Sequence, residues 1–206
     1  MSATSCGRLV IVSGPSGAGK TTVLRGVFQR CPLPLVGSVS ATTRPPRLGE
    51  VDGVDYHFLT QDAFDLARQR GEFLECFEVF GRGHWYGTLL SEVTPSLDAG
   101  KWVVLEIDVQ GAISVMQRYG DALSIFIRPG SLEELERRLR GRGTETEEAV
   151  QRRLNNAKRE LTLADRYRYQ VVNDEVDRAV QEICDILTQE SETNRDARSA
   201  SRGTNR

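Results

Sequence analysis

The sharpest chemical signal in this sequence is Gly14-Pro15-Ser16-Gly17-Ala18-Gly19-Lys20-Thr21, followed by Thr22. It fits G-x-x-x-x-G-K-[ST], between an apolar β-branched run and a helical pattern. Glycines at those offsets let the backbone curl so that consecutive N–H groups point at phosphate oxygens. The start of the helix adds partial positive charge. Lys20 is placed to reach the β- and γ-phosphates, and the Thr21 hydroxyl to ligate a divalent cation. A bound nucleoside triphosphate follows from this motif. The group it reacts with does not.

A second concentration of chemistry lies downstream. Arg44 and Arg47 stand three residues apart in a Pro-stiffened segment, Ser38 to Glu50. Guanidinium forks match phosphate oxygens in a bidentate way. Tyr56, Glu75, Tyr86 and Thr88 follow, giving an anion site with tyrosyl hydroxyls and a carboxylate nearby. Spacing alone leaves each arginine open to the plainer reading of a solvated surface charge. His57 and His84, the only histidines, sit in different segments and are assigned no metal or acid-base role. Trp102 is assigned to the core and Trp85 to packing.

These groups need elements to position them. Arg8–Ser13, Trp102–Ile107, Ala122–Ile127 and Tyr169–Val172 read as buried parallel strands, because apolar residues fill both faces. Helical spacing is expected over Thr21–Arg30, Leu89–Leu97, Ala112–Arg118, Leu132–Arg140, about 145–164, and Val176–Leu187. Strand-helix alternation of this kind argues for a parallel sheet covered by helices on both faces. Residues 37–86 break the pattern. Strand candidates at Tyr56–Phe58 and Phe73–Phe80 suggest a small, mostly antiparallel insertion. Residues 137–160, dense in Arg and Glu, suit a mobile solvated flap more than a core element.

Composition sets the outer limits. The chain has 206 residues, 39% hydrophobic and 27% charged, which allows one compact domain with small insertions. Lys and Arg number 27 against 29 Asp and Glu, a net charge of -2, so no global field favours nucleic acid or an anionic membrane. Cys6, Cys31, Cys76 and Cys184 show no metal-ligand spacing and read as reduced thiols of a cytoplasmic protein. No segment has the length and apolarity of a signal peptide or a membrane span. An Asn-Lys-x-Asp guanine-reading motif is absent, so a switch GTPase is disfavoured, and the length suits a small-molecule kinase better than a motor ATPase.

Longer stretches make the sequence recognisable. Ser-Gly-Pro-Ser-Gly-Ala-Gly-Lys-Thr at 13–21, Ser-Val-Ser-Ala-Thr-Thr-Arg-Pro-Pro-Arg at 38–47 and Gly-Glu-Val-Asp-Gly-Val-Asp-Tyr at 49–56 come in one order. Leu-Glu-Ile-Asp-Val-Gln-Gly at 105–111, Arg-Leu-Arg-Gly-Arg-Gly-Thr-Glu-Thr-Glu-Glu at 138–148 and Val-Val-Asn-Asp at 171–174 continue it. Together they resemble the guanylate kinase family over roughly residues 8–188. The resemblance implies a P-loop kinase of the α/β class: a three-layer α/β/α fold with a central parallel sheet, an inserted GMP-binding lobe and a helical lid. It divides the chain into a flexible 1–7, a core of 8–37, 89–130 and 165–188, a lobe of 38–88, a lid of 131–164, and a disordered tail from 189 to 206.

The same resemblance implies phosphorylation of GMP, or dGMP, by ATP with Mg²⁺, in purine nucleotide metabolism. Arg44, Arg47, Tyr56 and Tyr86 would hold the GMP phosphate. Glu75 would accept from guanine N1–H and the 2-amino group, with Ser40, Thr88 and Asp108 completing the base pocket. ATP would rest on residues 14–22, with Arg142 and Asn173 around the adenine. Lys20, Arg44, Arg138 and Arg153 would share the transferring charge, and Thr21 would ligate Mg²⁺ together with water and phosphates. The partners implied are small nucleotides, not nucleic acid or membrane, and the chain would act as a monomer or small homo-oligomer. Two departures stand out. The turn Gly81–Trp85 is longer than is common in the family, and Glu106 stands where Asp is frequent, which weakens any role for it in the Mg²⁺ shell. A kinase for another acceptor and a non-catalytic interaction module of the same fold remain as alternatives.

Overall fold

In the computed structural model, which describes residues 7–78, 83–141 and 146–203, five strands form one parallel sheet. They are β1 (Arg8–Ser13), β2 (Leu35–Gly37), β7 (Trp102–Glu106), β8 (Leu123–Pro129) and β9 (Tyr169–Asn173), in the order β2-β7-β1-β8-β9. Strand alternation sends Val10 and Val12 to one face and Leu9 and Ile11 to the other. The first face packs on α1 (Lys20–Arg30) through Val23, Leu24 and Val27, and on α7 (Val176–Gly203) through Ala179, Val180, Ile183 and Leu187. The second packs on α3 (Leu90–Asp98) and α4 (Val109–Arg118) through Val93, Val109, Ala112 and Val115. Helices on both faces of a parallel sheet are the expected three layers.

The insertion is a second sheet of four strands, ordered β4-β3-β6-β5. They are β3 (Ser40–Thr42), β4 (His57–Phe58), β5 (Phe73–Glu78) and β6 (Trp85–Leu89). The β3–β6 and β6–β5 pairs are antiparallel, while β4 joins β3 in parallel. A helix not expected from the sequence, α2 (Gln61–Gln69), covers this sheet. Thr60 caps it by accepting from Ala63 N–H at 3.2 Å, and Phe64 stacks on Phe73 with centroids 4.4 Å apart. Trp85 packs against the same Phe64 at 6.1 Å. The short strands β2, β3 and β6 were likewise absent from the expected elements.

Two expectations need correction. Residues 137–160 are not merely a solvated flap: α5 (Leu132–Arg140) and α6 (Glu147–Leu161) share a small core of Leu135, Leu139, Val150, Leu154 and Ala157. The tail is not disordered from 189. α7 continues to Gly203, held where Glu190, 4% exposed, pairs with Arg8 at 2.8 Å and accepts from Tyr169 Oη at 2.7 Å. A buried ion pair, not apolar burial, carries the helix past Leu187. No helix among the described residues is long and apolar enough to cross a membrane.

Candidate functional site

The glycine-rich loop leaves β1 at the carboxyl edge of the parallel sheet, with β7 on one side of β1 and β8 on the other, where open α/β sheets place their ligands. Gly14 has φ of +146°, and a Cβ there would lie 2.0 Å from the Ile127 carbonyl oxygen; at Gly19, φ +85°, it would lie 2.4 Å from Asn173 Nδ2. Only glycine fits either place. Lys20 turns back over the loop, donating from Nζ to the carbonyls of Gly14 at 2.7 Å and Pro15 at 3.2 Å. Thr21 donates its hydroxyl to Glu106 Oε1 at 2.7 Å, at the end of β7. Glu106 therefore does touch the residue expected to ligate the cation, despite standing where Asp is frequent. Thr22 is exposed beside it.

The lid grips this loop from above. Arg153 on α6 donates to Ser16 Oγ at 2.6 Å, and Arg138 on α5 donates to the Ala18 carbonyl at 3.4 Å and the Asn173 carbonyl at 2.9 Å. Asn173 is buried and donates from Nδ2 to the Ala18 carbonyl at 2.7 Å, while its Oδ1 has no hydrogen-bond partner among the described residues. The structure thus packs Asn173 against the loop. Arg142, expected with it, lies outside the described residues.

Sequence reasoning missed Glu160, two turns beyond Arg153 on α6. Burial pushes its carboxyl up to about 7, with the Asp108 carboxylate adding to the rise and the Lys20 ammonium and the Ser16 N–H opposing it. In the sequence it is one glutamate in an Arg/Glu-rich helix, with nothing to set it apart.

The lobe builds its pocket by strand register. Ser40 faces Thr88, and Thr88 faces Glu75, in one row across β3, β6 and β5. Thr88 is fully buried and donates to Glu75 Oε1 at 2.7 Å. Asp108 approaches from the core, capping α4 by accepting from Gly111 N–H at 2.9 Å. Gly111 leaves room for the carboxylate: a Cβ there would sit 2.9 Å from Glu75 Oε2. Burial drives the Glu75 carboxyl up to about 7; the nearby Asp108 carboxylate adds to this and the Thr88 hydroxyl opposes it.

One row along, Tyr86 faces Thr42. Arg44, 7% exposed, donates from Nε to Tyr86 Oη at 3.1 Å, and its guanidinium lies 4.8 Å from the Tyr56 ring centroid. Its two remaining nitrogens meet Glu50 in a fork, at 2.6 and 2.7 Å. Those bonds hold the Glu50 carboxyl at about 2, while Arg44 is pushed above the usual arginine range. Glu50 also accepts from Arg47 N–H at 2.7 Å, closing the turn that carries Arg47 on the exposed side. Sequence reasoning did not single out Glu50. Tyr56 meets Tyr86 edge-on at 5.9 Å, and burial raises its hydroxyl pKa. The longer turn before Tyr86 is only partly described; Gly83 in it has φ of +72°. The structure therefore gathers Arg44, Tyr56 and Tyr86 in one corner and Ser40, Glu75, Thr88 and Asp108 in another.

Comparison with known proteins bears on both halves. The family model described as guanylate kinase matches residues 6–190. A guanylate kinase of Rhodopirellula baltica is 53% identical over 188 residues, covering 91% of this chain and 90% of that one. One from a Nostoc species is 49% identical, covering 86% and 87%. The crystal structure of guanylate kinase from Anaplasma phagocytophilum superimposes with a TM-score of 0.76 at 34% identity, covering 91% of this chain and 88% of that one.

Proposed function

Because the chain belongs to the guanylate kinase family, we propose that it transfers the γ-phosphoryl group of ATP to the phosphate of GMP, or dGMP, leaving ADP and GDP or dGDP. The observation that carries the choice of acceptor is the buried Glu75–Thr88 pair facing Asp108. Guanine presents two adjacent donors, N1–H and the 2-amino group, and an ionised carboxylate only accepts. Adenine would set a lone pair against it and leave buried groups unpaired, at about 1–3 kcal/mol each.

The same reading extends to the remaining residues. Arg44, Tyr56 and Tyr86 take the GMP phosphate, with Arg47 reaching it from the exposed side of the same turn. Ser40, Glu75, Thr88 and Asp108 take the base. The loop from Gly14 to Thr22 takes the ATP phosphates, Asn173 stands beside that loop toward the adenine, and Arg142 is assigned to the adenine on the family resemblance alone. In the reaction the bond from Pγ to the β,γ-bridging oxygen breaks and one from Pγ to a GMP phosphate oxygen forms. That oxygen is already anionic, so neither a covalent nucleophile nor a general base is needed. The protein's part is to align two polyanions and neutralise them, which falls to Lys20, Arg44, Arg138 and Arg153. Lid and lobe exclude water, so that ATP is not hydrolysed instead.

The oxygen donors suit a hard cation. Thr21 and Glu106 adjoin the phosphate loop, and among the described residues no group of three or more His, Cys, Asp or Glu forms a cage. That fits Mg²⁺ held mainly by nucleotide phosphates and water, with Thr21 as protein ligand. Bound there, it would offset charge on the β- and γ-phosphate oxygens. A cytoplasmic location fits the free thiols of Cys31, Cys76 and Cys184. The test is ADP release with GMP, dGMP, AMP, CMP and UMP as acceptors. GMP and dGMP should be strongly preferred, and equal turnover with AMP would overturn the assignment.

A further inference from the structure

The lobe is joined to the core at two places: Ser38-Val39, between β2 and β3, and the step from β6 into α3. Backbone bonds anchor each end, Ser38 N–H to the Val104 carbonyl at 3.1 Å and Leu90 N–H to the Glu72 carbonyl at 2.9 Å. Between them stands Glu92, in the first turn of α3. Its Oε2 accepts from Val39 N–H at 3.4 Å, and its Oε1 lies 2.9 Å from His57 Nε2. A carboxylate only accepts, so Nε2 carries the proton. One core side chain thus holds the incoming linker and strand β4 of the lobe together. Neither Glu92 nor His57 has a part in the reaction as described above.

His57 follows Tyr56 directly and pairs with Ala41 across β3–β4. The rings of Tyr56 and Phe58 pack together on one face, 5.8 Å between centroids, and His57 points to the other. β4 has two residues and, among the described residues, a single strand neighbour, β3; the turn before it adds a bond from Gly53 N–H to the Tyr56 carbonyl and one from Phe58 N–H to Asp52 Oδ1, both 2.8 Å. So short an edge strand fixes the position of Tyr56 weakly by itself. The contact from behind, through His57 to Glu92, differs from these attachments in that it comes from the core, not from the lobe.

We propose that Glu92 is a positioning residue for the acceptor site: a strap across the hinge that sets Tyr56 against the GMP phosphate through His57. This rests on the assignment of GMP as acceptor. Loss of the strap lets β4 and the lobe angle drift, so the acceptor phosphate is held less well, while the ATP site on β1 and α1 is untouched.

The experiment is a double-mutant cycle with full steady-state kinetics on the whole chain, using Glu92→Ala, His57→Ala and the pair. Each single variant should raise the KM for GMP about three- to tenfold, leave the KM for ATP within twofold, and lower kcat little. The double variant should be no worse than the worse single one. Glu92→Gln, whose amide can accept from Val39 and donate to a His57 tautomer with a bare Nε2, should restore most of the GMP affinity. A GMP KM within twofold of wild type in both single variants overturns the strap. So does a double variant whose defect is the product of the two, or an equal rise in the KM for ATP, since a merely structural loss in α3 would act on both substrates. If the wild-type chain does not phosphorylate GMP, the acceptor assignment falls first and the strap falls with it.

Discussion

At the end of β1 the site proposed for the ATP phosphates is made mainly of backbone, loop N–H groups and a helix start, with one lysine that folds over Gly14 and Pro15. In the four-stranded lobe every group assigned to the acceptor is a side chain, and several are held by another side chain: Arg44 by Glu50, Glu75 by Thr88. A backbone cradle fits any phosphate and is stiff by construction. A side-chain site can read a base, but each member must be oriented separately, so it depends on residues that never meet the ligand. Changes on the donor side should therefore act on turnover, and changes on the acceptor side on affinity for one substrate.

Lys20→Ala is the largest break. It removes the one cation built into the cradle and should lower kcat about 10²–10³-fold, with ADP release as the measurement. Turnover near the wild-type value would mean the backbone loop suffices alone. Glu75→Ala comes next. It removes two hydrogen bonds to a charged acceptor, and should raise the KM for GMP about 100-fold while that for ATP stays within twofold. An unchanged GMP KM would take Glu75 out of the base pocket. Glu50→Gln is smaller. Arg44 loses the charged half of its fork, and the GMP KM should rise about tenfold. A fall instead would make Glu50 a competitor of the phosphate, and the picture of side chains pre-set for the ligand would fail.

The same contrast governs what could be read from the sequence. A backbone cradle demands glycine at fixed offsets, so Gly14, Gly19 and Lys20 announce themselves as a motif. The row Ser40–Thr88–Glu75 exists only by register between strands as short as three residues, too short for alternation to show. It was visible only through the resemblance to a family. α2 was missed because two buried residues, Phe64 and Ala67, make a thin apolar stripe; Thr60 with Asp62 behind it was the available signal. β6 is interrupted by Gly87, where a Cβ would lie 2.8 Å from the Cys76 side chain, so a packing need looked like a strand breaker. The end of α7 was misread because its anchor is polar. Arg8, Tyr169 and Glu190 meet only once the chain is folded, and no local pattern links them.

The finest test of the contrast is proton linkage. The Glu75 carboxyl sits at about 7 in the free protein, raised first by burial. Accepting two guanine donors requires it ionised, so GMP binding must release the proton from whatever fraction still carries it. The sign follows: affinity falls as pH drops through 7 and levels off above. Between pH 7.5 and 6.5 the ionised fraction drops about threefold, and the Kd for GMP should rise by that factor. The second ionisation of a phosphate, near 6, adds its own slope mainly below this window. Calorimetry in two buffers of different ionisation enthalpy should find about half a proton released per GMP at pH 7, and Glu75→Gln should abolish that part of the release. ATP on the backbone cradle does not involve this carboxylate, so its linkage should be the same in the Gln variant as in the wild type. A GMP affinity flat across the window, or an unchanged release in Glu75→Gln, would show that the base is not read by a titrating side chain.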